Sequence, residues 1–439
     1  MSWFGTDGIR GPAGEGKLAP DSVVRMGRAI GALAGAGKTV VIGRDTRESG
    51  EAIQAGLEAG LREQGVRVLR LGVLPTPATA VLAKRRKAAL GIMITASHNP
   101  WQDNGVKLFS ADGTKLSDAQ QAALDSLIDT PPAPATTPGT VEDDADALAD
   151  YAAFLMDVFP GVDLSALHIV VDGANGAGHA VLAEVFRRRG ARVTAIGDAP
   201  DGRNINAGVG STAIDACRQT VLGSGADVGF ALDGDADRIM AVTSAGEVMD
   251  GDQIVARLAA DALSADALRG GAVVSTVMAN LGLERWAEAN GLRLERTKVG
   301  DRHVHARMEA LGANFGGEPS GHILTTDRSS TGDGCLTAVW LAVSLTVARR
   351  NGANWMPVFD PVPQVLQNVR HGGGAPLESP AVKAAIQAQT ERLSGHGRVL
   401  VRASGTEPVI RVMAEGDDRA LVSQVVEEIA RAVAENAAD

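Results

Sequence analysis

At 439 residues the chain exceeds what one hydrophobic core supports, so two to four domains are expected. Its 45% hydrophobic and 22% charged residues exclude disorder and collagen-like repeats, while 3% aromatics and 53 glycines point to Ala/Val/Leu packing with many tight turns. A formal charge of −11, two distant cysteines (Cys217 and Cys335) and an amino terminus lacking a basic start and apolar run argue against nucleic acid, a membrane surface, disulfides and secretion, so a cytoplasmic protein is expected.

In chain order, periodicity predicts a helix over 22–34, a strand over 39–43, a helix over 51–64 and strands over 66–71 and 90–95, the last running into TASHNP (Thr95 to Pro100). ALAGAGKT (Ala32 to Thr39) nearly matches a P-loop, but its context of helix, turn and strand is the wrong one for phosphates on a helix amino terminus. A Pro/Asp-rich stretch (129–146) and an amphipathic segment (151–159) precede strands over 168–172, 192–196 and 227–232. The last of these runs into DGDADR (Asp233 to Arg238). GANGAG (Gly173 to Gly178) has the wrong glycine order for a dinucleotide fingerprint and reads as a strand-to-helix turn. DGDAD opens like an EF-hand, yet Arg238 and Ser244 stand where that loop needs glycine and glutamate.

The third pass predicts strands over 272–276, 292–297 and 313–315, the last running into GEPSGH, and then a buried core helix over 335–348 that is too short to span a bilayer. A linker-like stretch (360–380) leads to a strand over 398–402, the RASGTEP loop (Arg402 to Pro408), a strand over 409–415 and a helix over 418–436. The fold class expected is α/β: three similar α/β mixed-sheet domains followed by a smaller α+β C-terminal domain, around a central cleft. The boundaries expected are 1–150, 151–255, 256–365 and 366–439. Each of the first three delivers one motif from a strand's carboxyl end, where open α/β sheets place ligands.

The motifs differ in chemistry. Ser97 with His98 beside it offers a hydroxyl that could take and give a phosphoryl group, or a turn that satisfies its own backbone; Lys107 adds a cation that could shift a proton. Asp233, Asp235 and Asp237 alternate with small residues that let three carboxylates turn to one point, where mutual repulsion calls for a hard cation such as Mg²⁺, with Arg238 as a neighbouring phosphate partner. Glu318, Ser320 and His322 suit neighbouring sugar hydroxyls. Arg402, Ser404, Gly405, Thr406 and Arg411 combine guanidinium forks, hydroxyls and an amide, as a phosphate dianion asks.

These four segments in this order, with FGTDGIRG (Phe4 to Gly11) ahead of them, resemble the α-D-phosphohexomutase superfamily over essentially the whole chain. The opening octapeptide and TKVGDRHV (Thr297 to Val304) are most similar to the branch that interconverts glucosamine 6-phosphate and glucosamine 1-phosphate for UDP-N-acetylglucosamine and cell-wall precursors; the phosphomannomutase/phosphoglucomutase branch is the alternative. The resemblance implies a phosphorylated Ser97 and one Mg²⁺ per subunit on Asp233, Asp235, Asp237 and a phosphoserine oxygen. It implies a bisphosphorylated sugar as intermediate and activator, hydroxyl contacts from Glu318 and Ser320, and a phosphate clamp made by Arg402, Ser404, Gly405, Thr406 and Arg411. Arg10, Lys107, Arg238 and His322 would lie near the reacting groups, with general acid/base work open among Lys107, His98 and His322. The partner implied is a hexosamine phosphate, with a homodimer possible. The domains become, in order, those of phosphoserine, metal, sugar and phosphate.

Overall fold

The computed structural model describes residues 3–5, 8–353, 355, 357–372, 374–404 and 408–437. Four sheets follow one another along the chain. The first has six strands in the order Ile9–Pro12, Asp103–Ser110, Leu90–Ile94, Thr39–Arg44, Arg67–Val73 and Val141–Asp143. Its last four strands run parallel, while the two at the amino-terminal edge are antiparallel. The second orders Val248–Met249, Ile239–Thr243, Val228–Leu232, His168–Asp172 and Arg192–Ile196; the third orders Arg293–Thr297, Ala272–Thr276, Phe315–Gly317 and Ile323–Thr325. Central strands such as Leu90–Ile94 and Val228–Leu232 are buried throughout, which is why they read as unbroken apolar runs rather than alternating ones.

One apolar cluster runs through all three of these units, from Val41 and Leu69 through Phe186 and Phe230 to Leu336 and Trp355. The helix expected over 335–348 is Gly334–Arg350, buried along most of its length within that cluster. The fourth unit keeps a core of its own. Its helix Arg419–Glu435, capped by Asp418, presents Val422, Val425, Val426, Ile429 and Val433 at helical spacing to the sheet, each side chain contributing about 1.5–3 kcal/mol by burial. The first unit also packs a core of its own, from Ile9 through Leu90, Ile92 and Ile94 to Ile128, but it contributes to the shared cluster as well, whereas among the described residues the fourth unit contributes nothing to that cluster and stands as a body set against a three-unit frame.

Two expectations need correction. The stretch 360–380 is not all linker, because Gln364–Arg370 is an outer strand of the C-terminal sheet, paired antiparallel to Val409–Gly416. As an edge strand its residues are mostly exposed, so it lacks the apolar run that marks an inner one. The helix Thr76–Arg85 and the strand Asp103–Ser110 were not expected; the first begins with Pro75 and Pro77, which read as a turn although proline is tolerated in a helix's first turn.

Candidate active site

Three strands end at the site. Leu90–Ile94 hands over to a tight loop in which Ser97 adopts φ 54°. Val228–Leu232 hands over to the aspartate loop, and Phe315–Gly317 to the GEPSGH turn. Ser97 Oγ donates to Asp233 Oδ2 across 2.6 Å and lies 3.3 Å from His98 Nδ1. Lys107 Nζ, on the neighbouring strand Asp103–Ser110, donates to Asp235 Oδ2 and Asp237 Oδ2, both at 2.8 Å. Thr76, at the start of its helix, holds the same loop through its N–H to Asp235 O (2.9 Å) and its hydroxyl to Asp235 Oδ2 (2.6 Å). Arg10 lies in the edge strand next to Asp103–Ser110, paired with Gly105.

Asp233, Asp235 and Asp237 are buried, and each offers an oxygen within 4.8 Å of the others. Asp235 Oδ1 and Asp237 Oδ1 are fully covered without a hydrogen-bond donor among the described residues. A carboxylate oxygen buried in this way carries a desolvation cost that a cation would offset, so this donor set of oxygens fits a hard divalent ion. Burial, reinforced by Asp235 and Asp237, pushes the Asp233 carboxyl well above its usual range. Burial acts in the same direction on Asp237, but Lys107, His322 and Arg238 outweigh it and hold that carboxyl well below.

The two histidines are driven apart. Burial, with Arg238 and Arg10 nearby, lowers His98 to about 4, so its imidazole is neutral near pH 7. Burial alone would lower His322 as well; Asp237 at 3.6 Å and Asp301 at 3.2 Å overcome it and raise that ring to about 10. Arg238 spans from the aspartate loop toward Asp237, 3.9 Å away, while its N–H donates to Asp233 Oδ1.

The GEPSGH residues sit beside this centre. Glu318 Oε1 accepts from Gly300 N at 3.0 Å, tying GEPSGH to the TKVGDRHV segment, and Ser320 is half-buried in the same turn. Gly321 lets the turn approach the aspartate strand: a Cβ there would lie 2.1 Å from Ile239 O. In the C-terminal sheet Arg402 and Arg411 are direct cross-strand partners, and Ser404 N donates to Val409 O as the loop begins. Burial and the adjacent Arg411 both lower the Arg402 guanidinium from its ordinary value. Gly405 and Thr406 lie outside the described residues.

Sequence reasoning missed the residues that hold the Ser97 loop. Arg47 is fully buried and spends its guanidinium on four loop carbonyls, those of Ser97 (2.9 Å), Asn99 (2.8 Å), Pro100 (2.5 Å) and Asp103 (3.0 Å), and on Asp45 Oδ2 (2.9 Å). Asp45 also accepts from Thr95 Oγ1, which in turn accepts from Ser97 N. Asn206, from the second unit, donates to Ser97 O and Asn99 O. The available signal was three charged residues, Arg44, Asp45 and Arg47, at the carboxyl end of an apolar strand.

Four family models match in turn: phosphoglucomutase/phosphomannomutase alpha/beta/alpha domain I over residues 1–133, domain II over 150–246, domain III over 250–356 and the C-terminal domain over 366–432. Among curated proteins the chain is 50% identical over 437 residues to the phosphoglucosamine mutase of Sphingopyxis alaskensis, covering 98% of each chain. It is 47% identical over 438 residues to that of Paracoccus denitrificans, again covering 98% of each. Its fold matches a phosphoglucomutase/phosphomannomutase family protein of Burkholderia thailandensis with a TM-score of 0.80 at 24% identity, covering 98% of this chain and 97% of that one. It also matches the N-acetylphosphoglucosamine mutase of Aspergillus fumigatus, solved with GlcNAc-6P and magnesium, with a TM-score of 0.66 at 20% identity, covering 99% and 96%. A serine against three buried aspartates, on four successive units of this kind, accords with those matches: the chain belongs to the phosphoglucomutase/phosphomannomutase family and is an isomerase that moves a phosphoryl group within one sugar.

Proposed function

We infer that the chain is a phosphoglucosamine mutase, interconverting glucosamine 6-phosphate and glucosamine 1-phosphate for UDP-N-acetylglucosamine and cell-wall precursor synthesis. The observation that carries the mechanism is Ser97 Oγ at 2.6 Å from Asp233 in a buried triad of carboxylates. In the proposed cycle Ser97 is phosphorylated at rest. A sugar hydroxyl attacks phosphorus, the P–Oγ bond breaks, the hydroxyl proton passes to a base and Oγ regains a proton, leaving a sugar bisphosphate. The bisphosphate turns over within the cleft, and its other phosphoryl group returns to Oγ with the proton transfers reversed. Trace bisphosphate then acts as activator by loading unphosphorylated chains.

Asp233, Asp235, Asp237 and a phosphoserine oxygen would hold one Mg²⁺, which when bound neutralises charge on the phosphoryl group and its leaving oxygen. Neutral His98 can accept a proton and cationic His322 can donate one, with Lys107 between two of the aspartates as the third candidate for acid/base work. Arg10 and Arg238 carry positive charge to the transferring group. Glu318 and Ser320 read sugar hydroxyls. Arg402, Ser404, Gly405, Thr406 and Arg411 grip the phosphate that is not reacting, so one transfer site serves both ends of the sugar. The proposed division near residues 150, 255 and 365, with the last break taken ahead of the strand Gln364–Arg370, separates these tasks, and a cytoplasmic location and a homodimer complete the reading.

Turnover of glucosamine 6-phosphate, measured beside glucose and mannose 1-phosphates with Mg²⁺ and trace bisphosphate, tests it. Preference for the amino sugar is expected, together with loss of turnover but retained sugar-phosphate binding in Ser97→Ala. Full activity in Ser97→Ala would overturn the phosphoserine mechanism, and preference for glucose or mannose would move the chain to the neighbouring branch.

A further inference from the structure

The strands of the C-terminal sheet alternate their side chains between two faces. Val369, Val399, Val401, Ile410, Val412 and Ala414 face the helices and form the core of this unit. On the opposite face the antiparallel register aligns three rows across the strands: Gln364, Glu415 and Arg398; Leu366, Met413 and Leu400; Asn368, Arg411 and Arg402. The first row docks on the third unit, where Arg398 Nη2 donates to Val277 O (2.9 Å) and Ala279 O (2.7 Å) and Gln364 Nε2 to Met278 O (3.5 Å). This face is therefore turned toward the frame. The arginine row lies two steps of about 6.7 Å further along the strands.

Two guanidiniums set directly opposite on one face repel each other, so the pair gains most when an anion lies across it. Asn368 extends the same row on the other side of Arg411. It is exposed, and its carboxamide carries two N–H donors with no charge, so it can add a donor to an anion without adding to the repulsion. We propose that Asn368 is a further ligand of the clamped phosphate, donating a carboxamide N–H to a phosphate oxygen held by Arg402 and Arg411. Its place on the outer strand, rather than in the RASGTEP loop, gives the clamp contacts from all three strands of the sheet, so the phosphate is gripped by a row as well as by a loop. This rests on the phosphate-clamp reading above.

Steady-state kinetics of the full chain, with Asn368→Asp and Asn368→Ala beside Arg402→Ala, test the proposal. Asn368→Asp places a carboxylate against the phosphate and is expected to raise KM for the sugar phosphate about tenfold or more, Asn368→Ala a few-fold, both with kcat within about two-fold of the parent. Because the residue is exposed, the thermal midpoint should stay at the parent's value, which separates lost binding from lost folding. A parental KM in Asn368→Asp, with a raised KM in Arg402→Ala, would overturn the assignment of Asn368 and leave the clamp standing. Parental KM values in both would remove the clamp reading and Asn368 with it.

Discussion

Arg47 is the largest of the fully buried side chains among the described residues, and its position explains how Ser97 can be kept at φ 54° in its loop. Left-handed backbone costs a non-glycine residue about 1–2 kcal/mol, so neighbouring contacts must over-determine it. Five donor contacts from one guanidinium, the Asp45 and Thr95 relay and the Asn206 carboxamide supply them. Arg47→Met is expected to lower the unfolding free energy by about 3–5 kcal/mol, because Asp45 is left buried with an uncompensated charge and four carbonyls lose a donor. Arg47→Lys should recover little of this, since a compact ammonium cannot reach the carbonyls that the planar fork spans. Urea unfolding measures the loss; a free energy within 1 kcal/mol of the parent's in both variants would mean that water replaces the guanidinium.

At the scale of elements, the loops matter through close backbone approach. GANGAG is the strand-to-helix turn expected from its glycine order, but it has a second task, since Ala177 N donates to Gly234 O at 2.8 Å and a Cβ on Gly176 would lie 2.2 Å from that same oxygen. The turn after His168–Asp172 thus forms the floor under the aspartate loop after Val228–Leu232, its neighbour in the sheet. Gly176→Ala must push the aspartate loop away, because the obstructing atom is backbone and cannot rotate aside. A fall in kcat of roughly a hundredfold is expected for a misplacement of about 1 Å, with Arg402-dependent sugar-phosphate binding kept. Turnover and equilibrium binding measured on the same preparation separate these effects, and parental kcat would show that the loop accommodates the methyl group.

Over the whole molecule the division of cores matters most. Three units share one apolar cluster, so the Ser97, aspartate and sugar loops are held as one body, whereas the clamp sits on its own core and meets the frame through polar contacts. Those contacts gather around Asp360–Pro363 and the first row of the sheet: Asn280 exchanges hydrogen bonds with Val362, Arg398, held by Glu415 of its own sheet, donates to the carbonyls of Val277 and Ala279, and Arg285 pairs with Asp417. Polar contacts of this kind suit a joint that opens in the proposed cycle. Arg398→Met is expected to enlarge the radius of gyration in solution scattering and to raise KM. A parental radius and KM would leave the joint to the Asn280–Val362 and Arg285–Asp417 contacts.

Ser97, the three aspartates, the GEPSGH turn and the Arg402 and Arg411 pair were legible in the sequence as candidates for the proposed roles because each lies in a short polar cluster at the end of an apolar strand, and strand periodicity is a local property. The α/β class and the successive units followed from the same periodicity, and the order of the motifs pointed to the family. What the tertiary structure decided is everything that depends on contacts across long stretches of chain. Ser97 meets Asp233 136 positions away, Lys107 meets Asp237 130 positions away, and Arg398 reaches the third unit across 119. The edge strand Gln364–Arg370 and the buried Arg47 escaped notice for the same physical reason: burial and strand pairing belong to the folded packing, and a polar residue carries no local mark of what will surround it.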